Sequence, residues 1–235
     1  MKIDLYDDKI GFVELVDYMG TDLTIVNSAR VSFGKHKNEI DERDKKLINY
    51  LVKHKHSSTF EHNVVTFRIS VPLFVRSQHM RHRTWAYNEI SRRYTEVDIK
   101  FYEPSRFRTQ HKSNRQASNF NDLINPLVDQ SGLTGGASAS WMVRNHNKKS
   151  LSLYNKLIDA GVCREQARGV LPQNLYTEYY GTVNLNNLIK FIDLRTHEGA
   201  QWEIQQLANG MLKIAEDLWP TAVRSYMNSK EEKNR

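Results

Sequence analysis

The sequence predicts a mixed α/β fold of the α+β-like kind. Three runs of β-branched and aromatic residues, near 11–16, 63–70 and 175–183, read as strands. Stretches of helical period separate and follow them, the clearest from Ala200 to Trp219. Apolar residues make up 39% of 235, enough for a substantial core.

The elements follow in order. Gly11–Val16 alternates and predicts a strand, and Asn27–Phe33 predicts a short helix with a polar start. Asp41–Lys55 carries Leu47, Tyr50 and Leu51 at helical spacing. Asn63–Ser70 predicts a second strand. Ser70 is placed to cap a helix starting at Val71-Pro72 and running towards Arg81, with Gln78 and Arg81 on one face. Residues 105–138 are rich in Ser, Asn, Gln and Arg and predict a long flexible surface loop. A short helix near Phe120–Asn125, stopped by Pro126, is expected within it. Helices are predicted for Trp141–Ala160 and for Cys163–Leu171, the latter stopped by Pro172. Leu175–Val183 predicts a strand, Leu185–Arg195 a helix, and Ala200–Trp219 an amphipathic helix with one apolar stripe. Residues 1–225 are expected to form one domain and 226–235 a charged tail, frayed from Ser229 to Arg235.

No apolar run approaches the ~18–20 residues of a membrane span. The first residues lack a signal peptide's basic start and apolar middle, and a single cysteine, Cys163, allows no intrachain disulfide. The expectation is a cytoplasmic protein. The formal charge of +7 admits a nucleic-acid surface or a pocket for small anions.

Local patterning favours a built anion site. Residues 81–94 hold four arginines, a histidine and one carboxylate, Glu89. Arginine grips phosphate or carboxylate through paired, charge-assisted hydrogen bonds. Cys163 has no histidine near it in sequence to act as a base, and is expected to be small, buried or inert. Ser91 lacks the glycine-flanked setting of a strained nucleophile and sits among cations, so it reads as a hydroxyl that bonds an anion. The His54/His56 and His79/His82 pairs have no carboxylate at ligand spacing, so no metal is expected. Glycine-rich nucleotide loops are absent, so side chains would have to hold any nucleotide. Further polar and cationic patches lie at Lys55–His62, at Arg164–Arg168 and at Asn184 with Arg195. Each alone suits a solvated face or a salt bridge; their joint occurrence is more informative.

Together these patches resemble the flavin-dependent thymidylate synthases. The hallmark Arg-His-Arg, seven residues, then Ser stands here as Arg81-His82-Arg83 and Ser91. Ser28-Ala29-Arg30-Val31-Ser32, Phe60-Glu61-His62, Arg164–Pro172, Leu194-Arg195 and Ala200-Gln201-Trp202-Glu203-Ile204 resemble further family elements in the right order. The resemblance implies a central, mostly antiparallel twisted sheet flanked by helices. It implies reductive methylation of dUMP to dTMP, with methylenetetrahydrofolate as carbon donor, reduced FAD as hydride donor, NADPH as reductant and no cysteine nucleophile. It also implies a homotetramer with shared sites.

Carried over by position, the resemblance implies that Gln78, Arg81, Glu89 and Ser91 hold dUMP. Arg93 and Arg168 are expected at its phosphate, and Arg195 at a uracil carbonyl. His82, Arg83, Asn88 and Asn184 are expected at FAD, with Arg81 and Glu89 facing both ligands and His56 and Ser58 beside the flavin. Ser91, Arg195 and His56 are the expected catalytic positions. Asn186, Lys190 and Arg92 depart from part of the family's pattern. The contrasting reading is an RNA- or single-strand-binding surface in which Trp85, Tyr87 and Tyr94 stack on bases.

Overall fold

The computed structural model describes residues 1–95, 97–129 and 136–234. Its centre is a five-stranded sheet. The strands are β1 (Lys2–Asp4), β2 (Phe12–Met19), β3 (Val64–Pro72), β4 (Ala86–Glu89) and, late in the chain, β9 (Tyr176–Asn184). Their spatial order is β1-β2-β3-β9-β4, and every neighbouring pair is antiparallel, as expected.

Period-two alternation decides which face meets the core. Along β3, Val65, Phe67, Ile69 and Val71 are fully buried, and Tyr179 and Val183 continue that face on β9. Residues of the opposite parity form polar cross-strand pairs. The Thr66 and Thr182 hydroxyls lie 2.9 Å apart, and Arg68 bridges Glu178 at 2.8 Å and Glu14 at 3.2 Å.

Helices α1 (Asp22–Arg30), α2 (Glu42–Lys53), α6 (Leu185–Arg195), α7 (Trp202–Leu218) and α8 (Pro220–Asn234) contribute to the core that this face closes. The predicted stripe of α7 is buried at Ile204, Leu207, Ala208, Met211 and Ala215. Gly210 lets this helix approach the sheet: a Cβ there would lie 2.7 Å from Val13 Cγ1. Burying side chains as large as Trp219 and Phe67 contributes about 1.5–3 kcal/mol each.

Several expectations are corrected. The helix expected at 27–33 starts earlier, at Asp22, behind a Thr21 capping box, and a 3-10 turn, Val31–Phe33, ends it. Ser70 caps nothing: it stays in β3, which runs on to Pro72. Helix α3 (Leu73–His79) begins there because carbonyls before β9 take its first donors, Leu73 N–H to Leu175 O and Phe74 N–H to Gln173 O. It stops at His79, so Arg81 lies on the following loop.

The 105–138 region is not simply a loop. It contains a hairpin, β5 (Phe107–Gln110) with β6 (Ser118–Ile124), and a small pair, β7 (Leu127–Asp129) with β8 (Ala137–Ser138). The helix expected near 120–125 is therefore strand. Asn and Asp are poor helix formers, and here they bond across the hairpin, Asn119 to Thr109 and Thr109 to Asp122. Residues 130–135 of the expected loop lie outside the described residues. Helix α4 (Ala139–Asp159) and the short α5 (Arg164–Ala167), which a 3-10 turn extends to Val170, match their predictions.

The expected frayed tail is helix α8 as far as Asn234. The buried Asp22 carboxylate accepts from Thr221 N–H and Ala222 N–H, a cap supplied from about 200 residues away that no local pattern reveals. No helix among the described residues is long and apolar enough to cross a membrane.

Candidate active site

The arginine-rich segment is held from below by aromatic side chains. Trp85 is buried against Gly181, where an added Cβ would sit 3.3 Å from its ring. It also meets His79 edge-on at 4.5 Å and Phe191 at 5.7 Å. Tyr87 of β4 donates its hydroxyl to the carbonyls of His79 and His82, tying down the loop between α3 and β4. Trp85 and Tyr87 face each other nearly parallel, 5° apart, and only Tyr94 is open, 79% exposed. Stacking on bases needs free aromatic faces, so the nucleic-acid reading loses its platform.

The expected residues gather in two clusters. In the first, Glu89, Ser91 and Arg168 line a cleft of about 510 Å³. Arg76 and Thr177, which the sequence did not suggest, hold Glu89. Arg76 Nε donates to Oε2 at 2.9 Å, with a second, shorter bond from Nη2, and the Thr177 hydroxyl donates to Oε1 at 2.7 Å. The Ser91 oxygen accepts from Arg93 N–H at 3.2 Å, which leaves its hydroxyl proton to donate outward. No histidine lines this cleft, and its carboxylate, Glu89, is held by Arg76 and Thr177 and makes no hydrogen bond to Ser91 among the described residues. Arg92 turns to the carbonyls of Val97 and Asp98.

The second cluster joins Gln78, His82 and Arg195. Arg195 Nε donates to His82 Nε2 at 3.1 Å, and Nη2 donates to the Gln78 carbonyl at 3.3 Å. A ring nitrogen that accepts carries no proton, so His82 is neutral with its proton on Nδ1. Burial and the Arg195 charge agree, lowering its pKa to about 4. His79 beneath it is fully buried, bonded to the Tyr179 hydroxyl at 2.7 Å, and burial holds it well below the usual histidine value. Gln78 also donates to Gln201 at 2.5 Å, and Gln201 donates to the buried Glu203 at 2.9 Å. In the sequence Glu203 stands out only as part of the family-like element Ala200–Ile204, with no role attached to it.

Other expected positions lie apart from these clusters. Arg93 pairs with Glu165 at 3.4 Å on the surface. Asn88 is exposed on β4, opposite Tyr180. The Asn184 oxygen caps α6 by accepting from Asn187 N–H at 2.9 Å. His56 and Ser58 are exposed, and His56 lines a separate cleft of about 410 Å³ with Asn186 and Lys190. Arg81 and Arg83, like Arg168 in the first cleft, are exposed, and none of the three has a side-chain hydrogen bond, ion pair or ring contact among the described residues. Cys163 is exposed rather than buried, at the start of α5, with its sulfur 3.7 Å from Gln166 Oε1. In the element resembling Ala-Arg-Val-Ser, Arg30 is engaged with the buried Asp44 at 2.5 Å. No cluster of potential metal ligands occurs among the described residues.

Comparison with known proteins identifies the family. The family model described as thymidylate synthase complementing protein matches residues 14–221. A flavin-dependent thymidylate synthase of Thermus thermophilus is 43% identical over 216 residues, covering 92% of this chain and 75% of that protein. The Kosmotoga olearia enzyme of the same name is 41% identical over 218 residues, covering 93% and 90%. Among solved structures, the UMP/dUMP methylase PolB from Streptomyces cacaoi, bound with 5-Br dUMP, superposes with a TM-score of 0.77. It is 32% identical, covering 92% of this chain and 94% of that one. The ordered motifs, the antiparallel sheet and these matches over about nine-tenths of the chain place it in one family: it belongs to the flavin-dependent thymidylate synthases.

Proposed function

We propose that the chain converts dUMP to dTMP, with methylenetetrahydrofolate as carbon donor, FAD as cofactor and NADPH as reductant. The observation that carries this is the trio Arg81, Arg83 and Arg168, exposed cations on the loop and cleft of the 81–94 segment with no anionic partner among the described residues. Anionic ligands supply what these side chains lack. The donor set fits FAD: Arg81, neutral His82, Arg83, Asn88 and Asn184 would hold it, with Glu89 close by and His56 and Ser58 beside the flavin. Once bound and reduced by NADPH, FAD would supply the hydride that completes the methyl group.

The chain's own residues bind and orient. Arg168 and Arg93 take the dUMP phosphate. The Arg93–Glu165 pair is exposed on both sides and worth at most about 1 kcal/mol, so a phosphate displaces Glu165 readily. Ser91 donates its hydroxyl to the nucleotide, and Arg76 offsets the charge of Glu89 so that the cleft wall does not repel phosphate. Arg195 retains N–H groups beyond those given to His82 and Gln78, and these meet a uracil carbonyl. Gln78 and Arg81 complete the nucleotide site. No thiol is needed, and Cys163 is not among the residues that line the cleft of Glu89 and Ser91.

Assembly as a homotetramer belongs to the same reading. His56 and Ser91 line different clefts of one chain, which suits a site shared between subunits. The lone cysteine suits the cytoplasm.

The purified protein is expected to be yellow, with an oxidised-flavin spectrum, to oxidise NADPH in a dUMP-dependent way, and to form dTMP when methylenetetrahydrofolate is added. Light scattering is expected to give a mass near four times 27.5 kDa. A colourless protein that neither takes up added FAD nor forms dTMP would sink the proposal.

A further inference from the structure

Glu203, in the first turn of α7, is a buried carboxylate. Such a group needs donors around it. Arg108 of the β5–β6 hairpin gives Nη2 to both oxygens, at 2.7 and 2.9 Å. The Tyr102 hydroxyl donates to Oε1 at 3.3 Å, and the Gln201 amide nitrogen donates to Oε2 at 2.9 Å. A carboxylate only accepts, so Gln201 must point its NH2 at Glu203 and its carbonyl oxygen away. That oxygen takes the Gln78 amide nitrogen at 2.5 Å. Gln78 is thereby turned too: its nitrogen end faces Gln201, and its Oε1 is left without a partner among the described residues.

We propose that Glu203 is a positioning residue that, through Gln201, orients the Gln78 amide so that an acceptor oxygen meets dUMP. The nucleotide group met there is a donor, an N–H or O–H. The inference rests on the assignment of Gln78 to the nucleotide made above. It also gives the hairpin a role, because Arg108 anchors the carboxylate that sets the direction of both amides.

A double-mutant cycle on Gln78→Glu and Glu203→Gln tests this. The carboxylate introduced by Gln78→Glu keeps an outward acceptor but sets a second acceptor against the Gln201 oxygen, and Glu203 prevents Gln201 from turning over. With Glu203→Gln the neighbour can donate, Gln201 can turn, and the conflict is relieved. Two quantities are read for each variant: the melting temperature without nucleotide, and the dUMP Kd by calorimetry. Gln78→Glu alone is expected to lower the melting temperature and to weaken dUMP about tenfold or more. In the Glu203→Gln background the same change is expected to leave the melting temperature unchanged and to weaken dUMP less than about threefold. Both cycles are repeated in a Gln201→Leu background, which keeps the two carboxylates and removes the amide between them, because salt screens a buried charge such as Glu203 poorly. Additive losses in the melting cycle, or a coupling that persists in the Gln201→Leu background, would overturn the relay. A wild-type protein that does not bind dUMP overturns the nucleotide assignment alone, because the melting cycle needs no ligand and still decides the relay.

Discussion

Arg168 and Cys163 lie five residues apart and are expected to differ in kind. Arg168 lines the cleft with no protein partner among the described residues, so its guanidinium is available to a phosphate. A charge-assisted hydrogen bond is worth ~1.5–3 kcal/mol, so Arg168→Ala is expected to raise the dUMP KM about ten- to hundredfold. Cys163 is exposed with its sulfur 3.7 Å from Gln166 Oε1, and a surface change of this kind alters energies by about 0.5 kcal/mol or less, so Cys163→Ala should keep turnover within about twofold. Steady-state NADPH oxidation at varied dUMP measures both. Abolished turnover in a folded Cys163→Ala protein would make the thiol the nucleophile. Residue types and their order were enough to single out Ser91, Arg168 and Arg195. The pairings that set the state of Glu89 and His82, with Arg76 and Thr177 and with Arg195, join residues from 13 to 113 positions apart and follow no local spacing.

Among the elements, α7 shows how closely a helix can lie on this sheet. Gly210→Ala would gain about 1 kcal/mol of helix propensity. Its new methyl would also stand 2.7 Å from the Cγ1 of fully buried Val13 and 3.1 Å from Leu5 Cδ2. Val13 is β-branched within a paired strand and has little room to turn, and overpacking of this kind costs about 1–3 kcal/mol. The net expectation is a loss, read as a melting temperature lower by about 2–4 °C per kcal/mol in a chain of this size. An unchanged or raised value would mean that the helix can shift. Long periodic elements such as α2, α4, α6 and α7 were legible because 3.6-residue periodicity repeats often enough to be read. The β5–β6 hairpin was not, since its polar residues form cross-strand hydrogen bonds instead of an apolar pattern.

Over the whole molecule, buried titratable groups set the pH range of stability. His79 and His82 have pKa values below the unfolded value near 6.5, His82 at about 4. Above about 6.5 both states leave these rings neutral and nothing is lost. As pH falls below that value the unfolded chain binds protons that the folded chain refuses, so stability falls. The paired Asp44, whose pKa is lowered, loses its contribution only below the ordinary carboxylate range, so the interval from pH 7 to 5 isolates the histidines. Burial raises the pKa of Tyr6, Tyr87, Tyr102, Tyr176 and Tyr179, so above about pH 10 the unfolded chain ionises first and stability falls again. Thermal melts from pH 5 to 11 should show a plateau between those limits. A melting temperature that rises from pH 6.5 to 5 would contradict the neutral assignment of His82, and His82→Gln should flatten the acid limb.

The sequence by itself determined the α/β class, the stripe of α7 and the arginine-rich segment with its ordered companions, because periodicity and arginine chemistry are local properties. Only the tertiary structure decided that Asp22 caps α8, that Glu89 is neutralised by Arg76, and that Glu203 stands behind Gln78. Those are hydrogen-bond pairings across the sheet and its helices. Donors and acceptors find each other by where the chain folds, and spacing along the sequence does not record it.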